Sequence, residues 1–131
     1  MMNRYFQEVL DAHELINYWL SEANIPVAVC DNLLARFSPH FSMVTPGGQH
    51  LDYTLLTSFF RTQGGSKAGL EIEIESMQVI TESDAGATVT YKERQQLPNQ
   101  KATLRFSTVV FELSHDNRVI WRHLHETALP V

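Results

Sequence analysis

From Gly69 to Leu129 apolar and polar residues alternate with a period of two, in four runs separated by short turns. That period belongs to strands, whose successive side chains point to opposite faces. Leu70, Ile72 and Ile74 share one face of the first run, with Glu71, Glu73 and Glu75 on the other. Asp84-Ala85-Gly86 turns the chain into Ala87 to Leu97, and Pro98-Asn99 turns it into Lys101 to Leu113. His115-Asp116-Asn117 then leads into Arg118 to Leu129. Turn residues at these spacings predict an antiparallel meander of four long strands.

The preceding half has helical periodicity. From Asn3 to about Asn24, Phe6, Val9, Leu10, Ile16 and Leu20 recur at spacings of three and four, with Asn3 in the N-cap position. A second helix is expected over Val27 to Phe37, burying Val29 or Cys30 with Leu33, Leu34 and Phe37, and ending at Ser38-Pro39. Phe41 to Thr45 has strand character and Pro46-Gly47-Gly48 forces a turn. Asp52 caps a third helix carrying Leu55, Leu56, Phe59 and Phe60, which Gln63-Gly64-Gly65-Ser66 ends. Helices first and a meander last predict an α+β fold, its helices packed on the concave face of a curved antiparallel sheet. No repeat or linker divides residues 1–131, so one domain is expected.

The third strand of the meander is apolar on both faces: Val109 and Phe111 lie on the side of Arg105 and Ser107, and Leu104, Phe106 and Val110 on the other. A strand covered by helices on one face needs a second cover, and a twofold-related copy supplies it. Leu104, Phe106 and Val110 are thus the expected homodimer contact.

Composition narrows the function classes. Fifteen acidic against ten basic residues give a net charge of -5 with no basic block, which argues against nucleic-acid binding. One cysteine, Cys30, leaves no internal disulfide or multi-cysteine zinc site, and its apolar helical face predicts an inert buried thiol. Charged residues interrupt the N-terminus and every apolar run, so neither a signal peptide nor a membrane helix is expected, and the chain reads as cytoplasmic.

Several segments together resemble a known superfamily. They are His40-Phe41-Ser42-Met43-Val44, Pro46-Gly47-Gly48, Phe59-Phe60, Tyr91-Lys92-Glu93-Arg94-Gln95, Ser107-Thr108-Val109-Val110-Phe111 and Trp121-Arg122-His123-Leu124-His125-Glu126-Thr127. In order and spacing the chain is similar to the nuclear transport factor two-like superfamily, and within it to an uncharacterised bacterial group of SnoaL-like proteins. Ketosteroid isomerases, polyketide cyclases, scytalone dehydratase and a kinase association domain share that fold. The resemblance implies a cone, open at one end, that takes small hydrophobic molecules. It also implies a difference in chemistry. A ketosteroid isomerase carries its proton-abstracting aspartate before a turn of the Pro46-Gly47-Gly48 kind, where this chain has Thr45. A threonine hydroxyl is no general base near neutral pH, so isomerisation by that route is not expected.

Two polar groups remain as site candidates. Trp121, His123 and His125 occupy alternate positions and therefore one strand face. If Leu113 pairs with Trp121, then Phe111 meets His123 and Val109 meets His125 on the concave side, leaving Glu112 and Arg122 as an exposed pair. The histidines are then either pocket acid–base groups or hydrogen-bonded core residues. They could also share one zinc, but that needs a third ligand, and His13, His40, His50 and His115 have no spacing that supplies it. On the second strand Tyr91 and Glu93 share a face, and a three-residue turn pairs Glu93 with Arg105 and Tyr91 with Ser107. Glu93 and Arg105 form either a ligand site or a structural ion pair. The Glu71, Glu73 and Glu75 stripe reads as a solvated strand face, and Gly64-Gly65-Ser66 lacks the lysine of a phosphate loop.

The expected ligand pocket is therefore Tyr91, Glu93, Arg105, Trp121, His123 and His125. Within it His123 or Glu93 would move a proton without a cofactor, on a small hydrophobic or carboxylate-bearing molecule. The alternatives are a non-enzymatic dimeric association module and a metal-dependent enzyme using His123 and His125.

Overall fold

A computed structural model describes residues 2–130. Three helices, α1 (Arg4–Ser21), α2 (Val27–Leu34) and α3 (Tyr53–Thr62), pack on a sheet of six strands. The strands are β1 (Phe37–Val44), β2 (His50–Asp52), β3 (Glu71–Ser83), β4 (Gly86–Gln96), β5 (Thr103–Leu113) and β6 (Val119–Leu129). Their order is β2-β1-β6-β5-β4-β3, so the last four form the expected meander. The sheet is antiparallel except where β1 runs parallel to β6. This is the α+β cone expected from the sequence, closed by the helices on the concave face.

The helix signals act as predicted. Asn3 Oδ1 accepts from the Tyr5 and Phe6 amides at 2.8 and 3.4 Å, and Asp52 accepts from Leu55 N at 2.9 Å. Tyr5, Val9, Ala12 and Leu20 of α1 are buried against the sheet residues Phe111 and Trp121. Cys30 is buried, as read from its helical face. The second helix is shorter than expected. It ends at Leu34 and Phe37 already belongs to β1, where its ring packs between Phe41 and Trp121. Pro39 is tolerated inside β1 because the pairing with β6 is irregular between Phe37 and Ser42, so no ladder bond is lost there. The short strand β2 has no counterpart in the sequence reading.

The β4–β5 register is the expected one, with Glu93 opposite Arg105 and Tyr91 opposite Ser107. The β5–β6 register is not. Leu113 pairs with Val119 rather than Trp121, and Trp121 faces Phe111. A bulge at Arg122 then sets two residues against one, so that His123 pairs with Val110, His125 with Thr108 and Glu126 with Ser107. One extra residue exchanges the faces of everything beyond it. Trp121 therefore points into the cone, whereas His123 and His125 leave it and Leu124 and Glu126 enter. The bulged Arg122 turns outward, bonding Glu112 Oε1 at 3.2 Å and donating to His40 O at 2.6 Å. The expected Glu112–Arg122 pair thus forms, by a different register.

Among the described residues no helix is long and apolar enough to cross a membrane.

Candidate functional site

A cavity of about 310 Å³ lies between the helices and the concave sheet face. Most of its wall is apolar, from Ile16 and Leu20 of α1, Phe37, Phe41 and Met43 of β1, and Leu56, Phe59 and Phe60 of α3. Thr45 and Pro46 also line it, on a turn tied by the Thr45 hydroxyl accepting from Gln49 N at 3.1 Å. Opposed charges occupy the sheet side, Glu93 from β4, Arg105 from β5 and Glu126 from β6, with the neutral Gln95 amide beside Glu93 and His13 of α1 above them.

These groups form two linked pairs. His13 Nδ1 lies 2.7 Å from Val9 O, and its Nε2 lies 3.1 Å from Glu93 Oε1. A carbonyl and a carboxylate can only accept, so both ring nitrogens carry hydrogen and the ring is an imidazolium. Burial opposes that charge, but the Glu93 carboxylate bonded to it outweighs burial and raises the His13 pKa. Glu93 is 3% exposed. Burial would raise its pKa, yet the His13 charge and bond, the Arg105 charge and the Gln95 amide at 2.6 Å hold it at about 2. Glu93 is thus a fixed anion.

Glu126 has the reverse character. It accepts from Arg105 Nη1 and from the Ser107 hydroxyl, both at 3.2 Å. Burial, followed by the nearby Glu93 charge, nevertheless raises its pKa above the usual carboxylate value. Two carboxylates driven in opposite directions within one cavity are the arrangement by which proteins divide a permanent charge from a proton carrier. Tyr91 is buried under the cluster, its ring 5.4 Å from that of His13. Its hydroxyl has no hydrogen-bond partner among the described residues, and burial raises its pKa well above the ordinary value. Trp121 lies against the other edge of His13 at 5.9 Å and donates to Glu8 Oε2 at 3.0 Å; Glu8 in turn takes a 2.6 Å bond from Arg36. Glu8 thereby fixes α1 to β6 and to the start of β1.

Of the residues singled out in the sequence, Glu93, Arg105 and Trp121 line this cavity and Tyr91 supports it. Glu93 and Arg105 are neighbours, but each takes a different main partner. His123 and His125 lie outside, on the convex face. His123 Nδ1 is 2.7 Å from the Ser42 hydroxyl, and its pKa is lowered by burial and then by the charges of His125 and Arg122. Among the described residues no three His, Cys, Asp or Glu side chains converge as a metal would require. Leu104, Phe106 and Val110 also occupy the convex face, as expected, with Phe106 38% and Val110 36% exposed.

Sequence reasoning missed His13 and Glu126. Glu126 was hidden by the bulge. His13 was visible: it falls four residues after Val9 and three before Ile16, an ionisable residue within an apolar stripe. A larger, more open groove of about 1000 Å³ runs between α1 and β3, where Asp11, Glu14, Glu22, Glu71 and Glu73 dominate the charged lining. Its cations, Arg36 and His13, are already paired with Glu8 and Glu93, so it lacks the opposed charges of the inner cavity.

No protein-family model matches the chain, and no curated protein matches its sequence. Solved structures do match. An NTF-2-like protein of unknown function from Pseudomonas aeruginosa superposes with a TM-score of 0.92 at 39% identity, covering 98% of this chain and 100% of that one. A ketosteroid isomerase-like protein from Erwinia carotovora atroseptica gives 0.68 at 10% identity, covering 98% and 95%. The CaMKII hub homology domain of Chlamydomonas reinhardtii gives 0.70 at 18% identity, covering 96% and 99%. The last two share the fold alone, whereas the first shares sequence along nearly the whole chain. By that likeness, and by its cone of three helices on a six-stranded sheet, the chain belongs to the nuclear transport factor two-like (NTF-2-like) superfamily.

Proposed function

We propose that this chain binds a small hydrophobic or carboxylate-bearing molecule in the cone cavity and moves a proton on it without a cofactor. The observation that carries the reading is the apolar-walled cavity holding two carboxylates of opposite character, Glu93 at about 2 and Glu126 raised. A buried anion at Glu93 is stable only because it is paired, so it orders His13 and cannot serve as the proton carrier. Glu126 can: a carboxyl with a raised pKa is the stronger base once ionised, and it still carries its proton, ready to donate, at a higher pH than an ordinary carboxylate. In this reading Glu126 removes a proton next to a carbonyl and returns it, with Arg105 holding the carboxylate in place. Isomerisation, dehydration and cyclisation all begin with such a step. His123 has no part in it.

A tryptophan fluorescence titration with the ketone 2-acetonaphthone, followed by deuterium exchange of its methyl group in heavy water, tests both halves. Saturable binding and accelerated exchange are expected in the wild type, with exchange lost and binding kept in Glu126→Gln. Absence of binding overturns the ligand reading, and equal exchange in Glu126→Gln overturns the assignment of the proton carrier.

Association is the second reading, and residues 1–131 act as one domain in both. It is favoured by the exposed Phe106 and Val110 beside half-buried Leu104 on the convex face. In this reading two copies meet through that face. Sedimentation at micromolar concentration should give a dimer, and Phe106→Glu a monomer, because the interface would bury an unpaired charge. A monomeric wild type refutes it.

A further inference from the structure

We infer that the natural ligand is an amphipathic anion whose charged head is held by Lys67, a residue of the loop between α3 and β3. The inference rests on the ligand-binding reading above and deepens it. His13, Lys67, Glu93, Arg105 and Glu126 are the ionisable side chains that line the cavity. Four of them are committed in pairs, His13 with Glu93 and Arg105 with Glu126. The Lys67 side chain has no ion-pair or hydrogen-bond partner among the described residues, although the residue is half-buried against the same cavity. The lining therefore carries one cation more than its carboxylates offset, beside an apolar wall. A charge so placed is satisfied by an anion brought in with an apolar body.

The loop holds Lys67 ready for this. Two carbonyls in the last turn of α1 are free to accept: Gly65 N donates to Trp19 O at 3.0 Å and Lys67 N to Leu20 O at 2.9 Å. Leu20 is itself part of the cavity wall, so the Lys67 backbone is fixed to the chamber it serves. Both ends of the loop are tightly seated. A Cβ at Gly64 would meet Trp19 Cζ2 at 2.8 Å, and one at Gly69, where φ is +79°, would meet Pro98 Cγ at 2.5 Å. With the backbone already in place, only the Lys67 side chain remains to be ordered when ligand arrives. Arg105, the cation singled out from sequence, is the poorer anchor because Glu126 occupies it.

The test compares 2-naphthoate with the neutral 2-acetonaphthone in wild type, Lys67→Met and Lys67→Arg, by Trp fluorescence titration. Lys67→Met should weaken naphthoate binding roughly ten- to a hundredfold, the size of one charge-assisted bond. It should leave ketone binding within about twofold, which also shows that the variant is folded, and Lys67→Arg should restore most of the naphthoate affinity. Unchanged naphthoate affinity in Lys67→Met, with both probes bound, overturns the anchor and leaves the cavity reading standing. Failure of the wild type to bind either probe overturns the cavity reading and the anchor with it.

Discussion

The hairpins on either side of β5 are built differently. The β4–β5 hairpin pairs ten residues in unbroken register, from Gly86 opposite Glu112 to Gln95 opposite Thr103, whereas β5–β6 takes in Arg122 as an extra residue next to Trp121. The first hairpin delivers Glu93 and Arg105 to the cone. The second delivers Glu126 and sends His123 outward. As a result, two histidines within one small fold occupy opposite environments. His13 is buried, bonded to a carboxylate and raised in pKa, while His123 is half-buried, bonded to a neutral hydroxyl and lowered. Residue type says little about what an imidazole does here; the partner, set by strand register, decides it.

The largest expected effect comes from removing the interior partner. Glu93→Ala leaves the His13 imidazolium buried without its counter-charge and should cost about 3–5 kcal/mol in urea denaturation. A loss no greater than that of His123→Ala would erase the distinction between the two faces.

The unbroken hairpin can be challenged at its open end, opposite Glu112, where the chain enters β4 from the β3–β4 turn. Gly86 has φ 151°, and a Cβ there would stand 2.0 Å from Phe111 O, a backbone atom that cannot move aside alone. Gly86→Ala should cost about 1–3 kcal/mol or more, because strain is added at a position the sheet fixes. A neutral Gly86→Ala would mean that the first hairpin tolerates slippage as well.

Acid and alkali separate the interior groups. Glu93 falls from 4.5 to about 2 on folding, so its contribution is present above pH 4.5 and is lost as pH drops towards 2. His13 rises above 6.5, so its contribution is complete below pH 6.5 and is lost as pH climbs through the folded value. Glu126, also raised, holds its proton more tightly when folded, so its contribution is complete below pH 4.5 and is lost as pH climbs from 4.5 through the folded value. Stability should therefore be greatest between pH 4.5 and 6.5, sloping down across that window as Glu126 ionises and falling further above it as His13 loses its proton. His13→Gln should flatten the alkaline side in part. A wild type and His13→Gln that differ equally at every pH from 4 to 9 would contradict the ion pair.

The smallest effect belongs to the convex face. His123→Ala loses the neutral bond to Ser42 and should cost about 0.5–1.5 kcal/mol.

The same contrast explains what could be read in the chain. Alternation and turn residues located β3 to β6, and the Asn3 and Asp52 caps located the starts of α1 and α3, because those signals are local. Glu93 and Arg105 were placed opposite each other because the Pro98-Asn99 turn fixes that register. The faces of His123 and Glu126 were misread because a bulge adds a residue without changing the hydrophobic pattern on either side of it. Glu93's union with His13 was out of reach for a different reason. It joins residues 80 positions apart, and only the packing of α1 across the sheet brings them together.

The two faces are compared most directly by a ligand titration read on the histidine rings. Proton–nitrogen NMR of the labelled protein, with 2-naphthoate added stepwise, reports His13 and His123 in one spectrum. Saturable shifts at His13, with His123 unmoved, are predicted for a ligand seated in the cone. Shifts at His123 and His125 with His13 unmoved would place the ligand on the convex face and contradict the site.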